Sequence, residues 1–322
     1  MTGSKTKGDL RPSIRRRSLL GGAFGLAVAL SFGLPAEVAH ARERVEVVCT
    51  IPDLAHLAKE IGGDAVRVTA LTSGNEDFHA VRPRPRLLVA LSRAELLLTV
   101  GLDLEHSWLP PLLQSASNEA IQPGRPGHVD VSSGIEALEV PCESEARAGG
   151  HLHMKGNPHY NLSPSRMRIA SANVLGGLLA VRPESRSMFE ERHRDFCRRL
   201  DAKIEEWTLR MAPARGAALI EDHKTWAYFA DEFDLRIVGE IEPKPGADPS
   251  PRQLARLIEL SVREEVRWVV CRPELEILAR KITRGSEARV LALDAASRRD
   301  EKGGYIGFID RIVEAFVGSA GT

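Results

Sequence analysis

Short apolar strand patterns alternate with helical patterns from residue 45 to residue 294, and this alternation restricts the fold more than any other feature of the chain. Runs of four to seven mostly apolar residues are typical of strands buried on both faces, as in parallel sheets. The predicted fold class is therefore α/β, with parallel sheets covered by helices on both faces. The predicted strands are Val45–Thr50, Val66–Leu71, Leu96–Val100, His128–Val131, Gly216–Ile220, Leu235–Ile241, Trp268–Cys271 and Arg289–Leu293.

A long helical stretch separates the first four strands from the last four. It runs from Glu184 to Met211 without an internal Gly or Pro and is rich in Arg and Glu. At 1.5 Å per residue it is about 40 Å long, enough to join two domains as a rigid linker. We predict two Rossmann-like domains, residues 42–182 and 213–322, with a linker helix at residues 183–212. The other predicted helices are Leu54–Ile61, Pro83–Leu91, Trp108–Leu113, Ser163–Ala180, Lys224–Glu232, Gln253–Glu264 and Glu274–Lys281.

The first 41 residues have the order of an export signal peptide. Consecutive arginines (residues 15–17) precede an apolar run from Leu19 to Leu34, and small residues at Ala39 and Ala41 define a cleavage site after Ala41. The arginines followed by Ser-Leu-Leu resemble a twin-arginine signal, although the sequence does not decide between Tat and Sec export. A membrane anchor is the alternative, but an uninterrupted run of about 20 apolar residues is missing. We therefore expect a periplasmic protein.

The charge of the exported part excludes one class of partner. The first 41 residues hold six basic and two acidic side chains, which leaves 38 basic and 42 acidic residues in residues 42–322. A slightly acidic chain without a basic patch is not expected to bind nucleic acid.

Four cysteines would lie in an oxidising compartment, where disulfides persist. Cys49 and Cys271 fall within strand patterns, so each could equally be a buried thiol or half of a disulfide. The sequence does not choose among the pairings of these two residues with Cys142 and Cys197.

Three histidines and one aspartate stand where the predicted elements end or begin. His79, His223 and Asp294 each follow a strand, and His159 precedes a helix. Ligands of parallel α/β sheets gather at the carboxyl ends of strands. The residues are 80, 64 and 71 positions apart, too widely spaced for a zinc finger. Three imidazoles and one carboxylate would complete the tetrahedral shell of a zinc-like ion.

Four segments in this order carry a resemblance to a known family: Asp77-Phe78-His79, Val100–Leu109, Asn157-Pro158-His159 with Leu162-Ser163-Pro164, and His223–Phe229. Over residues 45–315 the chain resembles the periplasmic metal-binding proteins of zinc and manganese ABC transporters, the cluster A-I solute-binding proteins. Phe78 replaces the family's proline before the first ligand, and Tyr160-Asn161 replaces its usual x-Trp after the second. Both departures concern the shape of the loops beside the ligands.

This resemblance implies both a site and a function. It implies metal ligands His79, His159, His223 and Asp294 in a cleft between two α/β domains. Zinc-type members resemble this chain in having histidine as third ligand, where manganese-type members have a carboxylate, so Zn²⁺ is the expected cargo. The implied partners are an ABC permease with its ATPase and a periplasmic zinc chaperone, and the protein is expected to be a monomer.

A second metal-binding feature is implied near the middle of the chain. His151 and His153 lie in a glycine-containing loop that resembles a shortened form of the family's His-rich loop. We expect them either to assist metal capture or to belong to an ordinary exposed loop.

An enzyme is the least favoured of the remaining alternatives. Catalytic zinc keeps one coordination position open for water. Four protein ligands would fill the tetrahedral shell and leave no such position. The chain has no H-E-x-x-H pair, although Glu221 or Asp222 beside His223 could act as the base of a zinc hydrolase. A manganese-specific binding protein and a metal-dependent adhesin of the same fold stay open.

Overall fold

Two parallel sheets organise the chain, which confirms the predicted α/β class. The computed structural model describes residues 44–141, 153–242 and 247–318, and these contain two sheets of four strands each. The spatial order is β2-β1-β3-β4 in the first sheet and β6-β5-β7-β8 in the second, with every pair parallel. The strands are β1 (Val45–Cys49), β2 (Val66–Ala70), β3 (Leu96–Thr99), β4 (His128–Asp130), β5 (Ala218–Glu221), β6 (Arg236–Glu240), β7 (Trp268–Cys271) and β8 (Arg289–Ala292).

Helices connect the strands and cover the sheets. Several begin with a proline in the first turn, where the missing N–H has no intrahelical partner in any case. The helices of the described residues are α1 (Pro52–Gly62), α2 (Pro85–Arg93), α3 (Leu109–Ala116), α4 (Pro164–Val181), α5 (Arg186–Met211), α6 (Ala227–Phe233), α7 (Pro251–Arg263), α8 (Glu276–Ile282) and α9 (Gly304–Gly318).

The helix predicted from Lys224 begins three residues later, at Ala227. The backbone N–H of Trp226 donates to the buried carboxylate of Glu221 (2.7 Å), so the chain between these residues forms a bend. This bend carries His223, and it occupies the residues that the apolar pattern assigned to the first helical turn.

The long helix α5 packs against both halves of the chain. It has 26 residues and contacts α1 and α4 of the first half and α9 of the second. The helix α9 lies beyond the predicted elements. One continuous apolar core includes Val47 of β1, Phe196 of α5, Trp268 of β7 and Phe308 of α9. The two sheets are therefore joined through shared packing as well as through the chain.

The described cysteines Cys49, Cys197 and Cys271 are buried free thiols, whereas Cys142 lies outside the described residues, as do the predicted signal and its cleavage site. None of the helices within residues 44–141, 153–242 and 247–318 combines the length and apolar character that a membrane span requires.

The aromatic contacts of α9 provide a test of this packing. The ring of Phe316 is fully buried. Its centroid lies 4.8 Å from the ring centroid of Phe229 and 5.1 Å from that of Trp268. Removing it leaves a cavity, so Phe316→Ala should lower the free energy of unfolding by about 3–5 kcal/mol in urea denaturation. The control Leu209→Ala, at a side chain 76% exposed, should stay within about 0.5 kcal/mol of the wild type. A similar loss in both variants would contradict a core role for Phe316.

Candidate metal centre

The first predicted ligand, His79, lies in the loop that follows β2. Its backbone N–H donates to the carboxylate of Asp77 (2.9 Å), and its carbonyl accepts from the hydroxyl of Ser107 (2.7 Å). The indole of Trp108 donates to the carbonyl of Phe78 (2.8 Å). The loop is therefore held from both sides, by its own turn and by the residues that precede α3.

The second predicted ligand, His159, has its ring orientation set by Asn157. The side-chain oxygen of Asn157 accepts from both the backbone N–H and Nδ1 of His159, each at 2.9 Å. The amide of Asn157 in turn donates to Glu139 (2.7 Å) and to the carbonyl of Lys224 (2.5 Å). Because Nδ1 carries the hydrogen, Nε2 is the nitrogen with a free lone pair.

The third predicted ligand, His223, follows β5 in the bend before α6. The hydroxyl of Thr225 donates to the carbonyl of His223 (2.5 Å), so toward Nδ1, 3.5 Å away, it can only accept. Within the described residues, the buried Nε2 of His223 has no hydrogen-bond partner. A buried polar nitrogen without a partner is costly, and a metal ion would supply the missing interaction.

The structure brings these three histidines together. Each of His79, His159 and His223 offers one ligand atom, and the three atoms lie within 4.8 Å of one another. Burial is the main cause that lowers the pKa of His159 well below its usual range, and the charges of the neighbouring imidazoles lower it further. This histidine is therefore neutral near pH 7, which is the form that binds a metal ion.

The fourth predicted ligand, Asp294, lines the same cavity but is not part of this group of three. It follows β8, and the cavity of about 310 Å³ is lined by Asp294 together with the three histidines. Its carboxylate accepts from the guanidinium of Arg298 at 3.1 Å. The site therefore contains a carboxylate whose partner in this structure is an arginine.

A fourth imidazole, that of His153, lies beside the cluster. Its Nε2 is 3.1 Å from Nδ1 of His79, and the ring centroids are 4.8 Å apart. The other residue predicted to assist capture, His151, lies outside the described residues. The sequence placed His153 in a loop predicted either to assist metal capture or to be an ordinary exposed loop, and it gave no roles to Asn157 and Arg298. Only Asn157 had a local signal, since it stands two residues before His159.

The acidic residues beside His223 are engaged in the backbone. Glu221 accepts from the N–H of Trp226, and burial raises its pKa to about 8. Asp222 accepts from the N–H of His223 (2.9 Å) and from that of Arg272 (3.2 Å). Both carboxylates therefore shape the bend that carries His223, which weakens their interpretation as a catalytic base.

The fold and the histidine cluster are those of a metal-binding, substrate-binding protein of an ABC transporter. A family model described as ZnuA, the periplasmic zinc-uptake complex component A, matches residues 47–319, and the chain belongs to this family. Its members are substrate-binding transport proteins that serve an ABC permease and ATPase.

Relatives within this group are named for different metals. The high-affinity zinc uptake system protein ZnuA of Yersinia pestis is 23% identical over 308 residues, 91% of this chain and 95% of that protein. The manganese ABC transporter substrate-binding lipoprotein PsaA of Streptococcus pneumoniae is 23% identical over 244 residues, 73% of this chain and 75% of that protein. A solved ZnuA deletion mutant with zinc bound is 28% identical, with a TM-score of 0.68 over 85% of this chain and 98% of that one. These similarities therefore do not distinguish zinc from manganese.

The orientation of His159 can be tested through Asn157. Removing the partner of a ligating histidine typically lowers metal affinity roughly tenfold to a hundredfold, so Asn157→Ala should do so. The measurement is competition for zinc against a chromophoric chelator. Asn173→Ala is the matched control, because the amide of Asn173 donates to the carbonyls of Val131 and Ser133, among residues that do not line the metal cavity. Equal affinities in the two variants would remove Asn157 from the site.

Proposed function

We propose that this protein captures Zn²⁺ outside the cytoplasm and delivers it to an ABC permease for import. The convergence of three imidazole donors in one cavity is the observation that carries the proposal. Imidazole is a softer donor than carboxylate and suits Zn²⁺, whereas Mn²⁺ prefers oxygen ligands and a higher coordination number. The manganese alternative rests on the names of relatives, and the donor atoms of this site favour zinc.

The complete ligand set that we propose is His79, His159, His223 and Asp294. The carboxylate of Asp294 lines the same cavity as the three histidines, and its side chain is 11% exposed. Four protein ligands would close the tetrahedral shell and leave no position for a reactive water. A closed shell suits a protein that holds its cargo, and it is the main argument against a hydrolase.

The route to the site and the partners are also part of the proposal. We propose that the chain is exported by its N-terminal signal, cleaved after Ala41, and acts in the periplasm as a monomer. A periplasmic zinc chaperone would load it. The contact between His153 and His79 supports a role for the loop in capture, because an ion held by His153 would lie next to the first ligand.

Metal selectivity tests the proposed function. Competitive titration of the wild type should show that Zn²⁺ binds far more tightly than Mn²⁺. His223→Glu replaces an imidazole with an oxygen donor, so it should narrow the difference between the two metals. His128→Glu is the control, because the Nδ1 of His128 contacts the carbonyl of Ile121 (2.9 Å) outside the cavity. Equal affinities of the wild type for both metals would contradict the zinc assignment.

The role of His153 in capture is tested by loading kinetics. His153→Ala should slow zinc association in stopped-flow mixing, while the equilibrium affinity changes much less. His128→Ala should load at the wild-type rate. An unchanged rate in His153→Ala would contradict a capture role. Removing a residue that only hydrogen-bonds to a metal ligand lowers metal affinity by up to about a hundredfold. A larger loss of affinity in His153→Ala would therefore identify His153 as a metal ligand.

A further inference from the structure

The carboxylate that we assign as fourth ligand is already bound to a cation of the protein itself. Arg298, four residues further along the chain, donates to Oδ2 of Asp294 at 3.1 Å. The two side chains differ in environment, since Asp294 is 11% exposed and Arg298 is 61% exposed. A carboxylate that is largely withdrawn from water needs a cationic partner, whereas an arginine in solvent does not.

The main chain around this ion pair is held in place. The backbone N–H of Ser297 donates to the buried carboxylate of Asp53 (3.2 Å), and the carbonyl of Arg298 lies 2.8 Å from Nε2 of His56. Both partners belong to α1, in the other half of the chain. The loop therefore has little freedom to move as a whole, and an exchange of partners at Asp294 has to occur through side-chain rotation.

We infer that Arg298 is a competing counter-ion, which occupies Asp294 in the metal-free protein and leaves when the metal takes the carboxylate. Zn²⁺ carries two positive charges, whereas the guanidinium of Arg298 carries one. The carboxylate of Asp294 therefore binds the metal in preference to the arginine. An arginine that stayed in place would repel the ion. Arg298 would therefore lower the affinity of the site and speed release by returning to Asp294. This inference rests on the proposed function, in which Asp294 is a ligand.

The arginine can be removed without removing the ligand. Arg298→Gln should bind zinc about two- to fivefold more tightly than the wild type, a range set by the strength of partly exposed ion pairs. Its dissociation rate in chelator competition should fall by a similar factor. The metal-free variant should melt slightly lower than the metal-free wild type, while the rise in melting temperature on zinc binding should be larger.

Two further variants separate charge competition from a structural role. Arg298→Lys keeps the positive charge. Its zinc affinity should therefore differ less from the wild-type value than the affinity of Arg298→Gln does. In an Asp294→Asn background, Arg298→Gln should no longer change the affinity, because the carboxylate for which arginine and metal compete is gone.

A matched control comes from a similar ion pair elsewhere. Arg280 pairs with Glu276 one turn away on α8, and both side chains are exposed, so Arg280→Gln should leave zinc affinity unchanged. Unchanged or weaker zinc binding in Arg298→Gln would overturn the competing role. Failure of the wild type to bind zinc would overturn the proposed function itself. An unchanged affinity in Asp294→Asn alone would reject Asp294 as ligand and the inference with it.

Discussion

The metal cavity depends on the apolar core that runs through both halves of the chain. His79 and His159 belong to loops of the first half, whereas His223 and Asp294 follow strands of the second. The ligand atoms of the three histidines can stay within 4.8 Å of one another only if their loops keep their relative positions. The helices α5 and α9 pack against both halves and provide this constraint. Close packing gives such an interior little compressibility, so it holds the loops around the cavity in place.

Each loop adds a local constraint to the global one. Asn157 sets the ring of His159, Thr225 and Asp222 set the bend at His223, and Asp77 sets the turn at His79. The partners of His79 and His223 bind the backbone of these residues, and Asn157 binds Nδ1 of His159. These contacts leave one nitrogen of each imidazole with a lone pair for a metal. The backbone of each histidine is therefore positioned in advance, as is the ring of His159, and pre-organised donors bind more tightly than mobile ones.

The ionisable groups of the site are balanced by the protein itself. Burial keeps His159 neutral, and the ion pair with Arg298 compensates the carboxylate of Asp294. A buried group with an uncompensated charge would destabilise the folded protein. The same arrangement would allow affinity and release to be adjusted through one exposed side chain, with the histidine cluster unchanged.

The sequence by itself determined the parallel α/β class and the positions of eight strands within one or two residues, because buried strands have a local apolar signature. It also singled out the three histidines, through short motifs at strand and helix boundaries. Only the tertiary structure decided the start of α6, where Glu221 captures the N–H of Trp226, and the placement of His153 against His79. It alone decided the partner of Asp294. These depend on contacts between residues far apart in the chain or on competition between alternative partners, and no local pattern of residue types records which partner is nearest in space.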